Sequence, residues 1–235
     1  RSGGPLFMNG NGTQAVSQTF NGLYVNSAQN TIGIDVSGTG PNNATLNLGD
    51  LLRPVGAYVN INYTPNGSSG GLPVATTGTA NGTYGILGGW ITVGNNDWAV
   101  NSSGNILPYS GYATKNDVST WSTGDNITNS AAFSSSLPND LTIGSLRYNA
   151  SGTTTATISA GKTLTIGTGA ILVTSSSGNG TLAGKVAPLA NWGSDRRNKL
   201  TRPLMEKALG VDRNAALPKF HGRTFAMSAK HNALP

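Results

Sequence analysis

The sequence predicts an all-β protein, a β-solenoid followed by a short C-terminal helix and a disordered tail. Residues 1–184 break into short runs of alternating apolar and polar residues, separated by Gly and Asn. Alternation with a period of two residues is the pattern of a half-buried strand. The composition agrees, because the chain has 33 Gly and only 10% charged residues. Small polar and β-branched residues are typical of turn-rich β structures.

The strands are predicted from runs that alternate and then reach a turn. None of them leaves room for a long helix. In chain order the clear runs are TFNGLYVN (19–26), TIGIDVSG (31–38), TLNLGDLL (45–52), AYVNINYT (57–64), LTIGSLRYN (141–149) and KTLTIGTGAILVT (162–174).

Internal repetition favours stacked coils over a β-sandwich, the alternative that also uses short strands. FNGLYVN (20–26) resembles IGSLRYN (143–149), and TLNLG (45–49) resembles TLTIG (163–167). Such repeats occur where each coil covers the apolar face of the next, and coils of ~20–25 residues would place about eight in residues 1–184. Asn suits the turns, because it tolerates left-handed geometry and its amide can pair one coil away.

Two segments stand apart from this pattern. Residues 66–83 are of low complexity and are predicted to be a loop or an irregular coil. Residues 84–121 are rich in aromatic side chains, for which two interpretations stay open: a core widened to hold large rings, or a platform that binds sugars or other ligands. The candidate ligand-binding residues are Trp90, Trp98, Tyr109, Tyr112 and Trp121.

Four blocks of the chain resemble bacterial proteins with autotransporter-associated β-strand repeats. The blocks are GILGGW (85–90), NDWAV (96–100), LTIGSLRYN (141–149) and TLTIGTGAILV (163–173), within a resemblance that covers most of residues 13–184. Proteins of that family are large secreted or surface-displayed chains. The resemblance implies a right-handed parallel β-helix, located outside the cell or at the outer surface of a bacterium.

Charge is distributed unevenly along the chain. The formal net charge is +6, yet residues 1–184 carry five basic and six acidic side chains, whereas residues 185–235 carry ten basic and three acidic ones. The basic residues of the tail are interleaved with Asp195, Glu206 and Asp212. This pattern favours a solvated helix face over a nucleic-acid-binding tail, so no nucleic acid is expected as a partner.

Several kinds of site are excluded by residues that the sequence lacks. Cysteine is absent, which excludes disulfides, thiolate nucleophiles and cysteine-ligated zinc or iron–sulphur sites. The sequence has two His residues that could act as a catalytic base, His221 and His231, and both lie in the predicted disordered tail. No apolar run approaches the ~18 residues of a transmembrane helix. We therefore predict no catalytic residue, cofactor, metal or transmembrane segment, and Arg1 at the start suggests a piece of a longer chain.

Carboxylates leave one catalytic alternative open. Polysaccharide-cleaving β-helices need paired or clustered acids. Asp35 could meet Asp50 on a neighbouring coil, and Asp117 could meet Asp125. Solvated or turn-capping carboxylates are the interpretation that we favour.

The last 51 residues are predicted to form a separate basic segment, residues 185–235, which is not part of the solenoid formed by residues 1–184. A short helix is predicted there, because one face would carry Leu200, Leu204, Met205, Ala208 and Leu209. Residues 185–225 also resemble a linker segment of FAD-linked oxidases and of the iron–sulphur subunit of anaerobic glycerol-3-phosphate dehydrogenase. None of that family's Cys ligands is present, so no cluster residue is assigned. The abrupt change suggests a composite of two unrelated pieces.

Together these features predict a non-enzymatic structural or adhesive fragment of a secreted or cell-surface β-repeat protein. Surface glycans or other cell-surface proteins are the expected partners. Two alternatives stay open: a carbohydrate-active β-helix enzyme, and, for the tail alone, a remnant of an iron–sulphur or FAD-linked oxidoreductase subunit.

Overall fold

The computed structural model describes residues 4–10, 14–26, 28–36, 43–54, 56–65 and 71–188. The described part is nearly all β, a parallel β-solenoid of about six turns. The chain divides into two compact units, Arg1–Ser110 and Gly111–Pro235. The predicted β-solenoid class is therefore confirmed.

Unit 1 contains short strands that return to the same faces coil after coil. They are β1 (Pro5–Asn9), β2 (Val16–Thr19), β3 (Leu23–Tyr24), β4 (Ala28–Asp35), β5 (Ala44–Asn47), β6 (Leu51–Leu52), β7 (Ala57–Thr64), β8 (Pro73–Thr76), β9 (Ile91–Val93), β10 (Asp97–Ser102) and β11 (Asn105–Pro108).

The largest sheet of unit 1 combines parallel stacks with an antiparallel meander. Its order is β1-β4-β7-β9-β10-β11-β8-β5-β2, and β3 pairs with β6 in a separate two-stranded sheet. Strands β1, β4, β7 and β9 are parallel, as are β2, β5 and β8. Strands β9, β10, β11 and β8 are joined by antiparallel pairing. The meander thus joins the two parallel stacks in the middle of this sheet.

The core of unit 1 follows from the register of the strands. Leu6 pairs with Ile32 and Met8 with Ile34 across β1 and β4. Both isoleucines are almost completely buried. Because successive side chains of a strand point to opposite faces, the same alternate positions face inward in every coil, and each fully buried Ile or Leu contributes about 1.5–3 kcal/mol of hydrophobic stabilisation.

Unit 2 is built from coils of three strands. Its elements are β12 (Ala113–Thr114), a 3₁₀ helix (Val118–Thr120), β13 (Asn126–Thr128), β14 (Phe133–Leu137), β15 (Leu141–Ile143), β16 (Ser145–Tyr148), β17 (Thr154–Ile158), β18 (Thr163–Ile166), β19 (Ile171–Val173), β20 (Gly180–Ala183) and β21 (Lys185–Pro188). Three parallel sheets result, β12-β13-β16-β19, β14-β17-β20 and β15-β18-β21. Strands β13–β15, β16–β18 and β19–β21 therefore form three successive coils.

The outward faces of unit 2 carry hydroxyl groups. In the sheet β14-β17-β20, Ala156 and Leu182 point into the core, whereas Ser134, Thr155 and Thr181 form an outward column in register. None of these outward residues is buried. Main-chain pairing and inward apolar side chains thus hold the stack together, and the outward column adds small polar groups.

Asparagine side chains tie the corners of successive coils in unit 2. Asn116 Oδ1 accepts hydrogen bonds from the N–H groups of Ser130 (3.0 Å) and Ala131 (3.1 Å). One coil on, Asn129 Oδ1 accepts from the N–H of Asn149 at 2.7 Å. The predicted use of Asn between coils is therefore found, but the amides pair mostly with main-chain groups of the next coil.

Two expectations about organisation are corrected. The sequence predicts about eight coils, but the coils of unit 1 are longer than this prediction assumes. Val16 in β2 pairs with Ala44 in β5, and Leu23 in β3 pairs with Leu51 in β6; each pair is 28 residues apart in the chain. The expected loop at 66–83 contains β8, because pairing with β5 draws it into the stack.

Most of the C-terminal predictions concern residues that lie outside the described part of the chain. Residues Lys185–Pro188 form β21, which pairs with β18 and so continues the ladder past the expected boundary at residue 184. The predicted helix and tail lie outside the described residues, and the separateness of 185–235 stays a prediction.

Candidate functional site

Two of the predicted ligand-binding residues, Trp90 and Trp98, are buried in unit 1. Trp90 is 7% exposed and belongs to the core that also holds Ile91. The guanidinium carbon of Arg53 lies 5.1 Å from the centroid of the Trp90 ring, a favourable cation–π distance. Burial lowers the pKa of Arg53 from its ordinary value. Trp98, in β10, is 2% exposed, so the two rings offer a ligand almost no surface.

Tyr109 is the third candidate residue in unit 1. It directly follows β11, and its backbone N–H donates to the carbonyl oxygen of Trp98 at 2.7 Å. The residue is half-buried. Part of the Tyr109 side chain is therefore accessible, at the end of β11, which is a strand of the meander.

In unit 2, Tyr112 lies under a buried cation. The guanidinium carbon of Arg147 is 4.7 Å from the centroid of the Tyr112 ring, and Arg147 is 8% exposed. Arg147 Nη1 donates to Thr128 Oγ1 at 3.4 Å and Nη2 to Asn149 Oδ1 at 3.3 Å. These contacts hold the guanidinium against the sheet, and Tyr112 keeps part of its surface accessible as a half-buried residue.

Trp121 packs in the core of unit 2, beside its 3₁₀ helix. It is 6% exposed, and its ring meets Phe133 edge to face, with centroids 6.5 Å apart. Asp117 Oδ1 accepts from Ser119 N–H at 2.9 Å, and Val118 N–H donates to Ser135 Oγ at 2.8 Å. Val118 and Trp121 belong to one core with the strands, so this segment covers β14, an edge strand of its sheet.

The five candidate residues are not all equivalent. Trp90, Trp98 and Tyr109 lie in unit 1, whereas Tyr112 and Trp121 lie in unit 2. The burial of the three Trp side chains supports the interpretation that they widen the core. For Tyr109 and Tyr112 a ligand-binding role stays a prediction.

A buried polar cluster in unit 1 was not predicted. Asn60 and Thr92 have no exposed surface, and Asn60 Oδ1 accepts from Thr92 Oγ1 at 2.9 Å and from Asn95 N–H at 2.6 Å. The Tyr58 hydroxyl is hydrogen-bonded to Thr92 Oγ1. Alternation in AYVNINYT (57–64) assigns Asn60 to the polar face, and nothing in the local sequence indicates that this face is covered. The cluster fixes the turn at Asn95, which has a positive φ of 59°.

Two carboxylates, those of Asp117 and Asp140, accept hydrogen bonds from main-chain N–H groups. The backbone hydrogen bond from Ser119 lowers the pKa of Asp117, with a further contribution from the Ser119 hydroxyl. Asp140 Oδ1 accepts from Thr163 N–H one coil away at 2.6 Å. Among the described residues, no group of three or more His, Cys, Asp or Glu could hold a metal ion.

The acid pairs considered from the sequence are spread over separate elements. Asp35 ends β4 in the nine-stranded sheet, whereas Asp50 directly precedes β6 in the two-stranded sheet. Asp117 caps the 3₁₀ helix, and Asp125 directly precedes β13. The fold assigns no pair of them to neighbouring positions of one ladder.

No family model matches the chain, and no solved structure gives a significant match. Among curated proteins, the chain is similar to an autotransporter adhesin. That protein, named adhesin BmaC autotransporter, is from Brucella suis biovar 1 (strain 1330), and it is 35% identical over 185 residues, or 76% of this chain.

The extent of the match limits what it shows. The chain spans 5% of the length of that relative. The resemblance of residues 185–225 to iron–sulphur and FAD-linked subunits finds no support in these comparisons. Across the described ranges, the structure has no helix that is both long and apolar enough to cross a membrane.

Proposed function

We propose that this chain is a non-enzymatic, structural and adhesive segment of a secreted or cell-surface β-repeat protein. The observation that carries the proposal is the parallel β-solenoid, combined with 35% identity to a protein named as an autotransporter adhesin. The chain would act by its surface and by the spacing of its coils.

The construction of the coils suits that role. Main-chain ladders hold the strands together, so outward side chains such as those of Ser134 and Thr155 are not needed for core packing. Stability that comes from backbone pairing and a dry core needs neither disulfides nor metals. A display segment outside the cell benefits from such independence of redox state.

Each unit would contribute a contact residue of its own, Tyr109 in unit 1 and Tyr112 in unit 2, with surface glycans or other cell-surface proteins as partners. A Tyr ring combines apolar area with a hydroxyl that can donate and accept, which suits both sugars and proteins. Each Tyr is half-buried, so each is held in position before a partner arrives. Rigid contact residues lose little conformational entropy on binding.

An attachment assay with coated beads tests the proposal. Fluorescent beads carrying the purified chain should bind cultured epithelial cells above the level of beads that carry the heat-unfolded chain. Pretreating the cells with glycosidases or with protease separates glycan partners from protein partners. Tyr109→Ala and Tyr112→Ala should lower attachment, whereas Tyr24→Ala, at a residue that is 62% exposed, serves as the matched control.

Equal attachment by folded and unfolded chain would reject adhesion. Loss of attachment in the Tyr24 variant alone would reject the assigned residues while leaving adhesion in place. Release of reducing ends from a polysaccharide panel by the purified chain would reject the non-enzymatic role and favour the carbohydrate-active alternative.

A further inference from the structure

Arg53 carries a buried hydrogen-bond donor that the described residues do not satisfy. It directly follows β6, and its Nη1 is buried without a hydrogen-bond partner. Within the described ranges the guanidinium has no ion pair with a carboxylate either. Arg147 in unit 2 shows the usual arrangement, since both of its terminal nitrogens donate to side-chain oxygens. Because an unpaired buried charge is costly, the state of Arg53 indicates an acceptor from outside the protein.

The contact between Arg53 and Trp90 does not supply that acceptor. The guanidinium carbon lies over the Trp90 ring, 5.1 Å from its centroid. The ring attracts the positive charge, but it offers no oxygen or nitrogen to the N–H groups of the guanidinium. Trp90, which is 7% exposed, thus limits the movement of the group and leaves its donors available. A guanidinium held in this way matches the two oxygen atoms of a carboxylate, which it can bind through two parallel hydrogen bonds.

The guanidinium is within reach of the protein surface. Arg53 as a whole is half-buried, and Leu52 before it is 63% exposed. On the next coil, Thr79 Oγ1 accepts from Leu51 N–H at 2.7 Å, and Asn81, two residues further on, is exposed. A ligand can therefore approach Arg53 beside a surface of neutral polar and apolar side chains.

The charges of unit 1 favour a ligand with a single negative group. Arg53 is the one Lys or Arg in the described part of this unit, which also contains three Asp residues. Burial lowers the pKa of Arg53, and no carboxylate acts in the opposite direction. Asp50 is directed elsewhere, since a Cβ at Gly78 would lie 2.7 Å from Asp50 Oδ1. Like charges repel, so a polyanion would meet one cation and several acids, whereas one carboxylate among neutral hydroxyl groups would meet a matching partner.

We propose that Arg53 binds a carboxylate, and that this carboxylate belongs to an acidic sugar at the end of a surface glycan. The carboxylate accepts two hydrogen bonds from the guanidinium, and Trp90 acts as a positioning residue that holds the guanidinium in place. The choice of a glycan rests on the proposed adhesive role, whereas the carboxylate site itself does not.

An NMR titration of the isotopically labelled chain with N-acetylneuraminic acid tests the site. A range up to about 20 mM covers the millimolar dissociation constant expected for one bidentate contact. The readout is the indole N–H signal of Trp90, which is assigned by its loss in Trp90→Phe. We expect a saturable shift with the acid and none with its uncharged methyl ester.

Other anions test the assignment of the ligand. An equal or tighter response to sulfated galactose would overturn the assignment to a carboxylate. Tighter binding of an N-acetylated glutamate amide would overturn the assignment to a sugar and favour an acidic peptide. The absence of any saturable shift in the folded protein would overturn the site, because a water molecule would then be sufficient for Nη1.

Variants at Arg53 test the geometry of the contact. Arg53→Gln should abolish the shift. Arg53→Lys keeps the charge without the planar fork, so it should weaken binding at least about fivefold. Lys185→Gln removes the same charge from an exposed residue of unit 2, and it should leave the titration unchanged. Equal binding by wild type and Arg53→Gln would overturn the proposal.

Arg53→Met separates binding from folding. An apolar side chain in place of an unpaired buried charge is often neutral or stabilising, so this variant should have a melting temperature equal to or above that of the wild type and should not bind the acid. A lower melting temperature, combined with no response of the wild type to the acid, would make Arg53 a structural residue and overturn the proposal. Far-UV circular dichroism confirms that each variant is folded.

Sialidase treatment of cells distinguishes this site from the adhesive role. It should lower the attachment of beads that carry the wild type, whereas beads that carry Arg53→Gln should attach weakly before and after treatment. Full attachment of Arg53→Gln beads would overturn the acidic glycan as the partner while adhesion stands. A saturable Trp90 shift without attachment of any beads would reject adhesion and the glycan, and it would support the carboxylate site.

Discussion

The side-chain oxygen of Asn129 accepts a hydrogen bond at 2.7 Å from the backbone N–H of Asn149, its counterpart one coil further along the stack. Asn129 is only 3% exposed, and its Nδ2 also donates to Thr154 Oγ1 at 2.8 Å. The Asn129 amide thus connects its own corner to Asn149 and to Thr154, at a position where the main-chain ladders are interrupted. Corner contacts of this kind should be among the most sensitive points of unit 2.

Asn129→Ala should lower the free energy of unfolding by about 2–4 kcal/mol, because it leaves a part-buried N–H and a buried hydroxyl without their partner. The matched control is Asn116→Ala. Asn116 makes an equivalent bond to Ser130 N–H but is exposed, so water can replace it and the expected loss is below about 1 kcal/mol. Urea denaturation followed by circular dichroism measures both. Equal losses would contradict the role of burial.

Trp121 should stabilise unit 2 through its ring and not through its N–H. Trp121→Ala should cost about 3–5 kcal/mol, as expected for a large buried aromatic. Trp121→Phe should cost less, about 1–3 kcal/mol for the volume that it removes, with no added cost for a lost hydrogen bond, because Trp121 Nε1 is buried without a hydrogen-bond partner among the described residues. Thermal unfolding of the two variants separates these contributions. A Phe variant as unstable as the Ala variant would contradict the stabilising role of the ring.

Two glycines with the same backbone angle should respond differently to alanine. Gly49 and Gly94 both have φ of +63°. A Cβ at Gly49 would lie 2.7 Å from Gly22 N, whereas one at Gly94 meets nothing within 4 Å. Gly94→Ala should cost about 1–2 kcal/mol for the left-handed conformation, and Gly49→Ala about 2–5 kcal/mol because main-chain atoms must also move. Parallel urea titrations give the difference, and a Gly94 variant that is the less stable of the two would refute the steric argument.

Alkaline pH should destabilise unit 1 through Tyr63. Burial raises the pKa of Tyr63 to about 12, although its hydrogen bond from Ala75 N–H acts in the opposite direction. Between about pH 10 and 12 the unfolded chain loses this proton while the folded chain retains it, so stability present below pH 10 is lost as the pH rises. The loss should approach 2–3 kcal/mol at about pH 12.

Tyr63→Phe provides the comparison for that measurement. The Tyr63 hydroxyl donates to Ile106 O at 2.7 Å, so the variant should be less stable at neutral pH by about 1–2 kcal/mol. Its stability should fall less steeply above pH 10, because one titrating group is missing. Urea midpoints at several pH values test this, and identical pH slopes for the two proteins would argue against a raised pKa at Tyr63.

The repeated strands were predictable because their signal is local. AYVNINYT coincides with β7, Ala57–Thr64, and KTLTIGTGAILVT contains β18 and β19. The weak internal repeats were less informative about position. FNGLYVN contributes β3 of a two-stranded sheet, whereas IGSLRYN contributes β16 of a four-stranded sheet. Similar strand sequences can occupy different sheets, since each sheet requires only alternating apolar and polar side chains.

The antiparallel meander had a local signal that the prediction missed, whereas the fate of the aromatic residues could not be read from the sequence. Strands β10 and β11 are joined by the two-residue turn Ser103–Gly104, where φ is +51° and +91°, and such turns are typical of an antiparallel hairpin. Trp90 and Trp98 lie close together in the chain, yet only tertiary packing decides that both are buried. The same holds for Asn60, whose burial depends on residues more than thirty positions away.

The outward column Ser134–Thr155–Thr181 has a consequence for how such a chain can change over time. Since register is enforced by the peptide backbone and by the inward side chains, these exterior positions are decoupled from folding. Substitutions there should therefore carry little penalty, so the exposed face can diversify while the same scaffold is inherited.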